Sequence, residues 1–429
     1  MARTPAFDPR RLLIESYRAA VAAADPLVIV PPHLPGPPAG RTLAVGAGKA
    51  AASMAAAVER NWPKSAGLSG LVITRYAHSL PTERIRVVEA GHPVPDESGE
   101  AAASEILASV RGLGEDDLLL VLVSGGGSSL LSLPASGVTM ADLKEVTRQL
   151  LMCGAPIQEI NTVRKHLSAI QGGRLAAECR ARILALVISD VTGDDPTHIA
   201  SGPCAPDPTT YRDALEILAK YAVAPPVGVK THLEGGLRGA IAETPKPDDP
   251  VFARTENRVV ATAHRSLEAA AEVFRSQGIT PAILGDSITG EAREVGKVMA
   301  AVAREVRVHG APFKTPVALI SGGECTVTVR AKGRGGRCSE FLLSLGVELG
   351  GMEGVHAIAA DTDGIDGSED NAGAVLCPDS LSRAASSGLD ARKLLAGNDA
   401  WAFFSGIGDL VVTGPTLTNV NDYRAILIA

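Results

Sequence analysis

Leu118-Leu119-Leu120-Val121-Leu122-Val123-Ser124-Gly125-Gly126-Gly127-Ser128-Ser129 is the stretch that decides the architecture. Its first half is apolar without alternation, the pattern of a strand covered on both faces. Its second half turns sharply. Three glycines let the backbone approach a ligand closely and turn its N–H groups inward, as a phosphate cradle requires. The same grammar recurs on either side. Thr42 to Val45 is strand-like, then Gly46-Ala47-Gly48 opens an Ala-rich helix from about Lys49 to Arg60. Strands also fit Leu71 to Thr74, Arg86 to Glu89 and Ile183 to Ile188, with helices at Glu97 to Arg111 and Met140 to Leu151. Strand alternating with helix predicts an α/β domain with a largely parallel sheet, whose ligands collect where strands end.

Beyond residue 255 the alternation continues through Arg258 to Ala261, Pro281 to Leu284, Pro316 to Ile320, Val355 to Ala359 and Leu410 to Thr413. The Pro- and Gly-rich region from Val223 to Thr255 reads as a connection between lobes. It places an N-terminal domain at 1–235 and a C-terminal domain at 236–429, with a return to the first lobe near the chain's end allowed.

A chain of 429 residues with 45% hydrophobic and 21% charged residues can bury more than one core. Its net charge of -7 and 3% aromatics argue against nucleic acid as a partner. Apolar runs fall far short of the ~20 residues of a membrane helix. Asp8, Arg10, Arg11 and Glu15 interrupt any secretory block near the start, and the six cysteines form no CxxC pair. The expectation is a cytoplasmic protein, possible as a homodimer, acting on a small molecule.

Five loops could carry chemistry. Gly46-Ala47-Gly48-Lys49-Ala50-Ala51 matches the GxGxxA dinucleotide fingerprint. It also places Lys49 at a helix start, where a cation adds to the positive end of the dipole. A tight turn with a solvated lysine fits equally. In the Ser124–Ser129 loop, Ser124, Gly125, Gly126, Gly127, Ser128 and Ser129 are candidates for holding phosphates, although the GK[ST] ending of a Walker loop is absent. Asp190, in Ser189-Asp190-Val191-Thr192-Gly193-Asp194-Asp195, can bind a metal or take a proton, or simply cap a helix. Gly333-Arg334-Gly335-Gly336-Arg337 presents an arginine beside paired glycines, suited to an anion or to an exposed hairpin. Asp361-Thr362-Asp363-Gly364-Ile365-Asp366-Gly367 offers oxygen ligands for a hard cation, or is a solvated acidic turn. Arg164, Lys165 and His166 form a cationic run that could attract an acidic substrate, although its usual meaning is a solvated helix face.

Together these segments resemble the class II glycerate 2-kinase family with its C-terminal MOFRL domain, whose members are often labelled hydroxypyruvate reductase. Ala90-Gly91-His92-Pro93-Val94-Pro95-Asp96, Ser201-Gly202-Pro203, Gly322-Gly323-Glu324 and Thr413 to Asp422 complete the ordered set. The resemblance implies a Rossmann-like α/β/α lobe, an α/β MOFRL lobe and an active site in the cleft between them. It implies ATP-dependent phosphorylation of D-glycerate at the 2-hydroxyl. The family's critical lysine falls on Lys49, and its critical arginine on Arg337, with Glu340 completing that motif. Members commonly carry Asn-Gln after the arginine, where Cys338-Ser339 stand here, and a glycine where this chain has Leu417.

On this reading the glycine loop holds ATP and Mg²⁺ bridges its phosphates to Asp190, Asp361 and Asp366. Asp363 contacts the nucleotide, and Asp190 accepts the hydroxyl proton. The alternatives are an NAD(P)H-dependent hydroxypyruvate reductase, drawing on Gly46 to Ala51 and Arg75, and a non-catalytic binding protein of the same fold.

Overall fold

The computed structural model describes residues 7–429. It divides into two compact units, Pro26–Val260 and a second unit made of residues up to Asp25 together with Ala261–Ala429.

In the first unit the strands are β1 (Thr42–Ala47), β2 (Leu68–Arg75), β3 (Ile85–Ala90), β4 (Leu118–Val123), β5 (Arg182–Ile188) and β6 (Thr255–Ala261). They lie in the order β3-β2-β1-β4-β5-β6. β1 pairs in parallel with β2 and β4, β2 with β3, and β4 with β5. This doubly wound order reverses direction between β1 and β4, the place where such sheets bind ligands. Every residue of β1 and β4 is buried. Leu43, Val45, Leu119, Val121, Ile183 and Ala185 pack against Ala103, Ile106 and Val110 of helix Glu97–Arg111. That helix starts where the Asp96 carboxylate accepts from the Gly99 N–H at 3.0 Å. Helix Ala51–Asn61 is buried from Ala51 through Val58, and its small side chains allow that depth.

The second unit adds β7 (Thr280–Gly285), β8 (Gly290–Glu291), β9 (Val317–Ser321), β10 (Cys325–Thr326), β11 (Val355–Asp361), β12 (Gly373–Leu376), β13 (Leu410–Val411) and β14 (Asp422–Ile428). Its main sheet runs β13-β12-β11-β14-β9-β7. β11 is antiparallel to β12 and β14, and β14 to β9, while β7 and β9 are parallel. The largely parallel arrangement expected from the alternation therefore holds for the first sheet and fails for this one. β14 is the reason. It enters the centre of the sheet from a loop, without a preceding crossover helix, and so runs against both neighbours.

The division of the chain also differs from the expected break after residue 235. That position lies inside helix Val227–Leu237. The following Pro-rich segment stays tied to the first unit, with Glu243 accepting from the Tyr211 N–H at 2.9 Å and Asp249 capping Pro250–Arg254 ahead of β6. It is the start of the chain, not its end, that joins the other unit. Helix Pro9–Ala22 presents Leu12, Leu13, Tyr17 and Ala20 to Phe274, Ile320, Ile358 and Leu427. The Tyr17 hydroxyl donates to the Asp361 carbonyl at 2.9 Å. An amphipathic stripe declares a buried face but not its partner.

Leu13 is fully buried in that contact. Leu13→Ala should destabilise the second unit by about 2–5 kcal/mol, the usual range for an unfilled leucine cavity. Guanidinium unfolding followed by near-UV circular dichroism checks this, as an earlier midpoint for one of two transitions.

Candidate active site

The loops after β1, β3 and β4 meet around the glycine run. Gly46 and Gly48 have φ of +153° and +144°; a Cβ at Gly46 would stand 1.9 Å from the Leu122 carbonyl oxygen, and one at Gly48 2.1 Å from Ser124 Oγ. The Ala50 N–H donates to Ser124 Oγ at 3.0 Å, and the Lys49 N–H to the Gly125 carbonyl at 2.8 Å. These two glycines are explained by the approach of one strand end to another, which leaves the dinucleotide fingerprint without independent support.

Gly126 (φ +80°) lies between two side chains, since a Cβ there would meet the His92 ring at 2.9 Å and Lys49 Cγ at 3.5 Å. Lys49 is half-buried. A Cβ on Gly127 would strike Ala200 at 2.5 Å. The run of glycines thus lets four chain segments converge, and it sets a lysine and a histidine against the loop.

A second layer fixes Ser128. Its carbonyl accepts from Arg164 Nη2 at 2.7 Å and Gln171 Nε2 at 2.8 Å, and its Oγ accepts from the Ser201 hydroxyl at 2.9 Å. Ala200, Ser201 and Gly202 all have positive φ, 49°, 58° and 58°. Strain of about 1–3 kcal/mol at a non-glycine residue persists where surrounding structure enforces it, commonly at working sites. Arg164 makes no ion pair among the described residues, and burial pushes its guanidinium below the ordinary arginine value. A desolvated cation beside a glycine loop favours an anion.

Arg164, Gln171 and Ser201 were not among the expected site residues. Helix Ile157–His166 separates the cationic run, because successive residues point about 100° apart. Arg164 reaches the loop, whereas Lys165 is 2% exposed and stands 3.6 Å from Asp207. The His166 Nδ1–H donates to the Thr162 carbonyl at 2.8 Å. The run is not a solvated face.

Asp190 lies half-buried just beyond β5. Nearby Asp195 accepts from the Thr197 N–H at 2.9 Å and serves the turn.

In the second unit Asp361 and Asp422 are direct cross-strand partners of β11 and β14. Two carboxylates placed opposite repel, and Arg337 bridges them, with Nε on Asp422 at 2.8 Å and Nη2 on Asp361 at 2.7 Å. Glu324, with its side chain 54% exposed, takes Nη1 at 3.1 Å. Burial pulls the Arg337 guanidinium down, but Asp422, Asp361 and Glu324 together carry it well above its ordinary value.

The acidic turn is neither solvated nor a metal cage. Asp363 Oδ1 accepts from the Ile365 N–H at 2.8 Å, a turn-closing bond. Both oxygens of Asp366 accept helix-start N–H groups, from Cys338 at 2.9 Å and Ser339 at 2.8 Å. Burial pushes the Asp366 carboxyl up. Gly336 makes room for it, since a Cβ there would lie 2.2 Å from Asp366 Oδ1. Asp366 thus caps helix Arg337–Leu349, a structural role beside the metal-ligand role expected of it. Asp361 is likewise committed to Arg337. Among the described residues no group of three or more His, Cys, Asp or Glu stands ready to hold an ion. Glu340 is structural, accepting from Arg293 Nε at 2.8 Å and Asn398 Nδ2 at 2.8 Å while 2% exposed.

Comparison with known proteins places this geometry in context. Residues 12–234 match the family described as a domain of unknown function, DUF4147, and residues 317–422 match the MOFRL family. A protein from Agrobacterium vitis, whose hydroxypyruvate reductase name is itself provisional, is 53% identical over 98% of this chain and 94% of its own length. The glycerate 2-kinase of Pyrococcus horikoshii is 39% identical over 89% of this chain and 86% of its own. The crystal structure of a glycerate kinase from Thermotoga maritima superposes with a TM-score of 0.86 at 38% identity, covering 98% of this chain and 99% of that one.

Burial holds His166, His198 and His232 of the first unit below the ordinary value of 6.5. Their folded states resist protonation more than their unfolded states do. The stability they contribute is complete above pH 6.5 and is lost as pH falls through that value toward the folded ones. Melting should therefore drop between about pH 7.5 and about pH 5.5, and His166→Gln should make that drop smaller. Differential scanning calorimetry at the two pH values checks it.

Proposed function

Because this chain belongs to the DUF4147–MOFRL family that contains the glycerate 2-kinases, we propose that it transfers the terminal phosphoryl group of ATP to the 2-hydroxyl of D-glycerate. The products are ADP and 2-phosphoglycerate. The observation that carries this reading is the junction around Gly126 and Ser128, where the backbone loop after β4 meets Lys49 and an Arg164 guanidinium without a carboxylate partner.

Phosphoryl transfer asks little covalent work of a protein and much positioning and charge stabilisation. Lys49 neutralises charge on the transferring group, and the Ser124–Ser129 loop with Arg164 receives the phosphates that remain on ADP. Arg337 is the second catalytic cation. Its Nε and Nη2 edges are held by Asp422 and Asp361, while the exposed Glu324 is the partner a substrate carboxylate can replace at Nη1. Asp190 accepts the hydroxyl proton as the 2-oxygen bonds to phosphorus and the bond to the ADP oxygen breaks. Mg²⁺, if bound, would neutralise charge on the nucleotide and would call for one or two protein carboxylates. Asp190, half-buried just beyond β5, would serve in that donor set, while Asp366 also caps a helix start with both oxygens. The six free cysteines and the use of ATP agree with a cytoplasmic setting.

An NAD(P)H-dependent reductase reading draws on Gly46 to Ala51 and Arg75, and strand packing accounts for the two glycines of that stretch, Gly46 and Gly48. Coupled assays separate the two activities: ADP release with glycerate, against hydride oxidation with hydroxypyruvate. Phosphorus NMR of the product identifies the hydroxyl modified.

Lys49→Ala should lower kcat by about a hundredfold or more while leaving the melting temperature unchanged. Near-normal turnover in that variant removes Lys49 from the chemistry. Arg337→Ala should also cost about 3–5 kcal/mol of stability, because it leaves Asp361 facing Asp422 without the cation between them while Asp422 keeps Arg424, so its kinetics require parallel unfolding measurements.

A further inference from the structure

Next to the phosphate loop lies a cavity of about 220 Å³. Pro93, Val94 and Pro95 form one wall, and Leu143, Thr147 and Leu151 of helix Met140–Met152 form the other. Lys144, Arg148 and Arg164 also line it. The cavity and the loop share neighbours at two points. Arg164 lines the cavity and donates to the Ser128 carbonyl at 2.7 Å, and His92, which precedes the proline wall, abuts Gly126. Val94 and Leu151 are 62% and 60% exposed, so apolar surface at the rim faces water.

We propose that this cavity is the base subsite for the phosphoryl donor, taking the nucleoside base between Pro93–Pro95 and Leu143–Leu151 while Arg164 spans from base to phosphates. The inference rests on the kinase reading above and adds to it the residues that select a nucleotide. The volume is below the ~300–1,000 Å³ of a site enclosing a whole drug-sized ligand, so it suits one flat ring system with the rest of the molecule outside. Glycerate is a poor occupant, since it has no apolar face to bury and its oxygens would lose water against proline and leucine. A nucleotide satisfies both halves of the site, an apolar wall for the ring and cations for the charge beside it. With aromatics at only 3% of the chain, a base here is gripped by aliphatic packing, which dispersion and burial stabilise without ring stacking.

The test compares ATP with inorganic tripolyphosphate, which carries the charge without the base. Isothermal titration with the full chain should find ATP bound about tenfold or more tightly than tripolyphosphate. Thr147→Trp fills the cavity and should bring ATP affinity down about tenfold, to the tripolyphosphate level, with tripolyphosphate itself unaffected. Leu151→Glu, on the exposed rim where folding is not at stake, should weaken ATP several-fold in the same selective way and decides the matter if the first variant is unstable. The KM for glycerate should hold steady in both. Intact turnover with unchanged ATP affinity in both variants overturns the subsite alone. Equal loss of ATP and tripolyphosphate affinity overturns it as well. A parent protein that neither binds ATP nor phosphorylates glycerate overturns the kinase reading together with the subsite.

Discussion

Close approach of the β1 and β4 strand ends is the constraint on which the first unit's chemistry depends. The loops are in contact because Gly46 and Gly48 lack a Cβ, and Ser124 joins them by accepting the Ala50 N–H. With side chains at either glycine the strands could not lie in register to their last residues, Ala47 opposite Val123. The glycine run of β4 then has no freedom to be a merely flexible turn, since Gly126 and Gly127 are hemmed by His92, Lys49 and Ala200. Loop position and lysine position both follow from this packing.

The two units handle charge in opposite ways. Around Ser128 the positive group has no carboxylate partner among the described residues: Arg164 is desolvated and donates to the Ser128 carbonyl. Around β11 and β14 negative groups are in excess, and Arg337 exists first to reconcile Asp361 with Asp422. Removing a buried partner from such a cluster costs more than the cluster contributes, so Arg337 has a structural role whatever else it does. Arg424, 1% exposed, adds a second bond to Asp422 at 2.8 Å and to carbonyls of Gly322 and Gly323. The MOFRL loops are thereby locked to the strand that carries Asp422.

Legibility varied from element to element for physical reasons. Leu118–Val123 and Glu97–Arg111 were readable to the residue, because a continuous apolar strand and a capped amphipathic helix declare themselves locally. β12, four residues of Gly-Ala-Val-Leu, and β14, reached through a loop, carried no such local mark and were not anticipated. Asp366 read as a cation ligand because a carboxylate in an acidic turn looks the same whether it faces a metal or a helix end. Its partners, the Cys338 and Ser339 N–H groups, come from a strand-distant segment. Arg164 read as surface because helix periodicity assigns a face to solvent or protein and says nothing about which loop covers it.

By itself the sequence determined that this is an α/β chain with glycine-rich loops at strand ends, and that Lys49 and the Ser124–Ser129 loop belong to such ends, since apolar runs and glycine turns are local properties. Tertiary structure decided what each carboxylate meets. Whether an aspartate meets a metal, an arginine or a helix start depends on groups far away in the chain. It also decided that helix Pro9–Ala22 belongs with residues beyond 260, because hydrophobic burial is non-directional and only the complementary surface selects the partner.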